Sequence, residues 1–238
     1  MKSNRDFIIT WKSPFSNPFY FVRRGLYKGL LQTAPLLAGN VLDFGCGQKP
    51  YRELFTQAVS YTGLDIEQSG HVHTGEDIDV YYDGKVIPFV DESFDHVFAT
   101  EVFEHVFNID EVLPEIKRVT KMGGRLLITC PFVWPEHERP YDFARYTSFG
   151  IRHILEQHGY EIEQEIKTGH FFEVILQQQI FYIFSLLPKA PHALYVVLHQ
   201  IFLLPEILVG RLLGRILPKQ MKRKDLFHNN IILAKRVR

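Results

Sequence analysis

The segment Pro135-Glu136-His137-Glu138-Arg139-Pro140-Tyr141-Asp142-Phe143-Ala144-Arg145-Tyr146 concentrates an imidazole, three carboxylates and two guanidiniums among aromatic residues. An imidazole beside a carboxylate is the pairing that can take a proton from a hydroxyl near neutral pH. His137 is therefore the candidate general base or substrate-orienting group, with Glu136 or Asp142 fixing its tautomer. Arg145 could hold an anionic group such as a phosphate or sugar acid, and Tyr146 is a further candidate substrate contact. In the competing reading, Glu138, Asp142 and Arg145 form a salt-bridged loop that only closes over a ligand. His105, directly after Glu104, could either face the reacting group or hydrogen-bond this loop.

A second constellation precedes the loop. The run Val41-Leu42-Asp43-Phe44-Gly45-Cys46-Gly47 is apolar, then acidic, then glycine-rich, and Asp65 follows the last glycine by eighteen residues. A buried parallel strand breaking into a tight turn has this pattern, and an acid ending the next strand would reach a ribose. Nicotinamide dinucleotide enzymes use a similar device. Here the third glycine is missing, because Gln48-Lys49-Pro50-Tyr51 follows Gly47, which disfavours a pyrophosphate.

These groups need a scaffold that brings strand ends together. The alternation of patterns predicts strands at about 40–44, 60–65, 78–82, 94–99, 124–130, 160–166 and 229–236, with helices at about 50–57, 109–120 and 147–158. Phe19 to Leu37 has helical spacing and would cover the sheet. Strand and helix alternation implies a parallel sheet, and 238 residues suit one domain. Lys plus Arg equal Asp plus Glu at 27 each, which excludes a surface built as a whole for nucleic acid. Cys46 and Cys130 read as reduced, buried residues of a cytoplasmic protein. His71 and His73 lack a third placed ligand, so no metal site is expected.

With Asp43-Phe44-Gly45-Cys46-Gly47, Asp65, Asp83-Gly84-Lys85-Val86-Ile87-Pro88-Phe89, Phe94-Asp95-His96-Val97, Glu104-His105-Val106 and Gly123-Gly124-Arg125-Leu126, the chain resembles the class I S-adenosylmethionine-dependent methyltransferases. The resemblance covers roughly residues 38–167 and the final strand. It implies an α/β, Rossmann-like, seven-stranded and mostly parallel sheet with an antiparallel last strand. It also implies S-adenosyl-L-methionine as the methyl donor. Asp43, Phe44, Gly45, Cys46 and Gly47 would form the turn under the methionine moiety, with backbone amides toward its carboxylate and Asp43 toward its ammonium. Asp65 would accept the ribose hydroxyls, Ile66 would pack on adenine, and Asp83 with the Gly84 amide would read the adenine edge. Thr100 and Glu101 would face the methionine and the acceptor, and His105 would lie near the transferred methyl. Within the superfamily, Pro131 to Tyr146 looks like bacterial methyltransferases of surface-polysaccharide pathways.

The expected organisation is one methyltransferase domain over 1–238: an N-terminal helical cover (1–38), a cofactor-binding core (39–167), a helical insertion (168–227) and a last strand (228–238). The insertion holds apolar stretches interrupted by Pro188, Pro191 and Pro205, and neither stretch reads as a membrane span. It could be a lid or dimer surface. Alternatively, residues 171–224 could meet the inner face of a membrane, with Arg211, Arg215, Lys219, Lys222, Arg223 and Lys224 toward anionic lipid. The expected function is methyl transfer to a small-molecule or lipid-linked acceptor, foremost a sugar oxygen in surface polysaccharide biosynthesis. Methylation of a quinone or other lipid-like ring and a non-catalytic cofactor-binding partner are the alternatives.

Overall fold

The computed structural model describes residues 7–67, 77–188 and 192–238. Seven strands form one sheet: β1 (Gly39–Phe44), β2 (Ala58–Ile66), β3 (Val80–Tyr82), β4 (Phe94–Thr100), β5 (Thr120–Pro131), β6 (Tyr160–Lys167) and β7 (Asn229–Arg236). Their spatial order is β3-β2-β1-β4-β5-β7-β6. Only β7 runs against its neighbours, antiparallel to both β5 and β6. The order reverses between β1 and β4, the place where α/β sheets open a crevice at their carboxyl ends. Register puts Asp43 beside both Gly63 and Phe98, and Thr100 beside Thr129.

Six helices accompany the sheet among the described residues: α1 (Tyr20–Thr33), α2 (Ile109–Val119), α3 (Ser148–Gln157), α4 (Phe171–Leu186), α5 (His192–Phe202) and α6 (Leu204–Ile216). α2 and α3 bury Leu113, Ile116, Ile151 and Leu155 on one face, against Leu42, Val97, Leu126 and Ile128. α1 buries Leu26 and Leu30 on the other, against Val41, Phe98, Leu127 and Ile231. Alternate residues of β1 and β5 thus serve opposite faces, as strand geometry requires.

The helix expected over 50–57 is instead a single short turn, Arg52–Leu54. Tyr51, Leu54 and Phe55 tuck into the core under α1, which already covers that face, and no room is left for a crossover helix.

The insertion packs on α1 rather than on the sheet. Tyr20 and Phe21 meet Leu176, Ile180, Leu203 and Ile207 in a third cluster. Gln177, fully buried, accepts from the Phe21 amide at 3.1 Å and donates to the Pro18 carbonyl at 2.8 Å. By length and mean hydropathy (1.7), Leu194–Ile216 is sufficient to cross a membrane, yet it turns at Leu203 and buries Leu203 and Ile207 on α1 and α4.

Candidate functional site

The glycine turn joins β1 to β2 through its own backbone. Gly45 and Cys46 donate their amides to the Leu64 carbonyl at 2.8 and 3.1 Å, and the Gly47 amide donates to Asp65 Oδ2 at 2.8 Å. The amides expected to approach the methionine carboxylate therefore have protein partners. Gly45 has φ +72, and a Cβ there would lie 2.4 Å from Val102 Cγ2. Only glycine fits where this turn meets the end of β4.

Asp43 is 1% exposed. Its Oδ2 accepts from Tyr61 Oη at 2.6 Å, and Oδ1 is buried without a partner. Desolvation pushes its carboxyl up to about 7, against the pull of the Tyr61 hydrogen bond. A cationic ligand group is what such an atom lacks. Asp65 Oδ1 accepts from the Ile66 amide at 2.8 Å. Asp83 is exposed and forms a turn, accepting from the Lys85 and Val86 amides at 2.9 and 3.1 Å. A Cβ on Gly84 would touch Ile66 Cδ1 at 3.0 Å, so Ile66 and Gly84 adjoin as one wall. Phe44 lies in the core against Tyr82, and Cys46 is buried with its thiol pushed up by desolvation. The two carboxylates at the strand ends, the wall and the unpaired Asp43 oxygen together fit a nucleoside bearing a cationic amine.

Three residues not anticipated complete this half. Lys49, 4% exposed, donates to Asp79 Oδ2 at 2.7 Å, and the same oxygen accepts from the Gly63 amide at 2.6 Å. A Cβ on Gly63 would lie 2.2 Å from Lys49 Cε. Tyr61, Lys49 and Asp79 sit in ordinary strand and loop sequence, so only their convergence reveals them.

Beyond β4 the chain takes a strained step: Glu101 has φ +54. Its oxygens are held by Thr129 Oγ1 at 2.7 Å and Asn229 Nδ2 at 2.7 Å. Thr100 reaches Thr129 Oγ1 at 2.9 Å. Glu104 is 1% exposed, and both of its carboxylate oxygens lack a hydrogen-bond partner. Desolvation first and then the charge of Glu101 hold it well above the usual carboxylate range.

The loop after β5 brings His137 to His105, with ring centroids 4.9 Å apart. His105 Nδ1 lies 2.7 Å from the Tyr141 carbonyl, so this histidine does tie the loop. His137 Nδ1 lies 3.2 Å from Asp142 Oδ2, and desolvation lowers its pKa. Of the two carboxylates expected to orient His137, Asp142 is the one beside it. Glu136 is exposed and pairs with Arg139 at 3.4 Å.

The expected anion-binding role of Arg145 is not supported by its contacts. Its guanidinium forks onto Asp142 at 2.5 and 2.6 Å and donates to the carbonyls of Trp134, Pro135 and Ala144. With its donors turned inward, Arg145 clamps the loop through Asp142, while Glu138, the other acid of the expected salt-bridged set, stands beside His105 at 3.4 Å. Tyr146 packs against the core beneath the loop, and its carbonyl accepts from Asn230 Nδ2 at 2.9 Å. His71 and His73 lie outside the described residues.

Comparison with known proteins agrees with this geometry. Residues 42–128 match a family model described as a methyltransferase domain. The chain is 35% identical over 99 residues to phthiotriol/phenolphthiotriol dimycocerosates methyltransferase 1 of Mycobacterium ulcerans, covering 37% of this chain and 36% of that protein. It is 32% identical over 121 residues to the ubiquinone/menaquinone biosynthesis C-methyltransferase of Pseudoalteromonas translucida, covering 44% and 48%. The matched stretches thus span half or less of these relatives' lengths. Among solved structures, a SAM-dependent methyltransferase from Archaeoglobus fulgidus superposes with TM-score 0.55 at 15% identity, covering 95% of this chain and 98% of that one. The chain thus carries a methyltransferase-domain match over residues 42–128 on a sheet with the fold of solved S-adenosylmethionine-dependent methyltransferases.

Proposed function

We propose that the chain transfers a methyl group from S-adenosylmethionine to an oxygen of a small-molecule or lipid-linked acceptor, foremost a sugar destined for a surface polysaccharide. One observation carries this reading. The glycine turn packs on Val102, between Glu101 and the Glu104-His105 turn, so the cofactor residues and the histidine pair share one rim of the sheet.

S-adenosylmethionine, when bound, supplies a methyl carbon on a sulfonium that leaves as a neutral thioether. Asp43 would meet the ammonium, Asp65 the ribose and Asp83 the adenine edge. A sugar hydroxyl is a poor nucleophile, so its proton must be handled as the new C–O bond forms. His137, kept neutral by desolvation, receives that proton at Nε2, and Asp142 beside Nδ1 stabilises the imidazolium. Thr100 and Glu101 border this place.

The outer faces of α4 to α6 support a lipid-linked acceptor. Tyr182, Leu186, Ile201, Leu212 and Ile216 are exposed, and Arg211, Arg215, Lys219 and Lys222 lie along or just after them. An apolar cavity of about 360 Å³ opens nearby, among Phe171, Phe172, Ile175, Leu217 and Met221. Such a face suits a protein resting on the inner surface of a membrane. A quinone-like ring is the second acceptor class, favoured by the relative named for ubiquinone/menaquinone biosynthesis.

Incubating the chain with methyl-labelled donor and fractionated cell extract tests the proposal. Label is expected in glycans of the organic-soluble fraction. Label in a quinone fraction would move the reading to the second class. Label in protein or nucleic acid, or none despite S-adenosylhomocysteine binding, would overturn it. A His137→Ala variant is expected to lose about a hundredfold in turnover at saturating acceptor.

A further inference from the structure

Proton transfer through His137 leaves Glu104 without a purpose. A carboxylate buried with no donor on either oxygen is costly unless a cation meets it. Around it stand two imidazoles, and the charges of Glu101, Arg145 and Glu138 act on it. His105 Nε2 lies 3.8 Å from Glu104 Oε1 and 3.4 Å from Glu138 Oε2, and His137 Nε2 lies 4.0 Å from Glu138 Oε1. One donor atom from each of Glu104, His105 and His137 lies within 4.8 Å of the others. Most of these gaps are too long for hydrogen bonds. They approach the roughly 3.4 Å that separates donors sharing a tetrahedral ion at about 2.1 Å.

The imidazoles are also oriented for ligation. His105 Nδ1 sits at 2.7 Å from the Tyr141 carbonyl, so that nitrogen carries the proton and Nε2 turns its lone pair to the cluster. His137 Nδ1 lies 3.2 Å from Asp142 Oδ2 without a hydrogen bond between them, so of the two rings only that of His105 has its tautomer fixed by a partner. A carbonyl or carboxylate behind each ring is the usual outer partner of a metal-binding histidine.

We propose that Glu104, His105 and His137, with Glu138 closing the set, bind one first-row divalent cation. Two imidazole nitrogens with carboxylates favour zinc, manganese, iron or cobalt over calcium or magnesium. The site lies beyond the ends of β4 and β5, and a four-ligand set leaves coordination positions for oxygen when the ion expands. In one respect the inference rests on the methyl-transfer reading: those positions would take an acceptor with adjacent oxygens, such as a sugar diol, and lower its hydroxyl pKa. His137 then ligates the cation instead of accepting the proton, which the ion-bound hydroxyl gives up to solvent water before the new C–O bond forms.

Full-length protein stripped with EDTA and desalted would be titrated with Co²⁺, followed by its visible absorption, and with Mn²⁺, followed by loss of the free-ion resonance. One equivalent is expected to saturate. His137→Gln, in a half-exposed loop, and Glu104→Gln are expected to weaken Co²⁺ binding by about tenfold or more, with unchanged circular dichroism. Glu156→Gln, on the exposed side of α3, should bind as the parent does. Absence of saturable binding by both ions, or parental affinity in His137→Gln, would overturn the site, and the latter arm holds even if Glu104→Gln does not fold. Methyl transfer is read separately. Saturable binding without labelled product under any ion would refute the transfer reading and leave the cation site, whereas product formed by cation-free protein that binds neither ion would do the reverse.

Discussion

Asp43 owes its chemistry to burial with one hydrogen-bond partner where a carboxylate wants more. Its folded pKa of about 7 lies above the 3.8 of the free group, so the neutral acid is the form the fold prefers. The associated stability is fully present below pH 3.8 and is lost as pH rises through 7. Asp43→Asn keeps an acceptor for Tyr61 and cannot ionise. It should therefore gain on the parent in unfolding free energy between pH 4 and pH 8, by up to about 4 kcal/mol. Urea unfolding of both proteins at the two pH values measures this, and a pH-independent difference would contradict it. If Asp43 holds the ammonium as proposed, the same variant should lose S-adenosylhomocysteine binding in calorimetry. Arg145 makes a complementary case. Arg145→Lys keeps the charge but cannot fork onto Asp142, so kcat should fall about tenfold with little change in KM, as expected when a catalytic loop is misplaced.

Close approach governs the element scale. β1, β2 and the glycine turn meet where Gly63 leaves no space for a side chain beneath Lys49 and Cys46. Gly63→Ala should cost about 2 kcal/mol by overpacking, readable as a lower midpoint in thermal unfolding. An unchanged midpoint would mean that Lys49 moves aside freely. The same crowding explains why the first crossover carries no helix. Eight residues beginning at Pro50 offered a helical pattern, but burial of Tyr51, Leu54 and Phe55 under α1 outweighed the weak propensity of so short a segment.

At the scale of the whole molecule, the insertion divides into an inner and an outer surface. Its inner side is core, since Gly210 allows α6 to approach Phe21 and Leu176 closely. Its outer side leaves Leu208, Leu212 and Ile216 exposed on one short helix. Under the membrane-surface proposal, the protein floats with anionic liposomes at low salt. Leu212→Glu together with Ile216→Glu should reduce the floated fraction several-fold by removing about 1.5–3 kcal/mol of burial per side chain. Parent protein that stays at the bottom of the gradient would defeat the membrane reading and leave these faces to another occupant.

What the sequence determined is the sheet and which residues stand at its carboxyl ends. Strand patterns of period two and the Asp43 to Gly47 turn are local, so all seven strands were legible to within a few residues, as was the reversed last strand through resemblance. Asp43 and Asp65 could likewise be named from spacing along the chain, and Asp83 through the resemblance. The tertiary structure alone decided which carboxylate stands behind His137, that Arg145 faces inward, and that Glu104 is stranded beside two imidazoles. The first two rest on contacts within the loop, whose path no local pattern specifies, and the third on the meeting of the loop with the turn after β4, 36 residues away in the His105–Tyr141 contact. Side-chain chemistry can be read from the order of residues, but burial and pairing are fixed only when distant segments exclude water from one another.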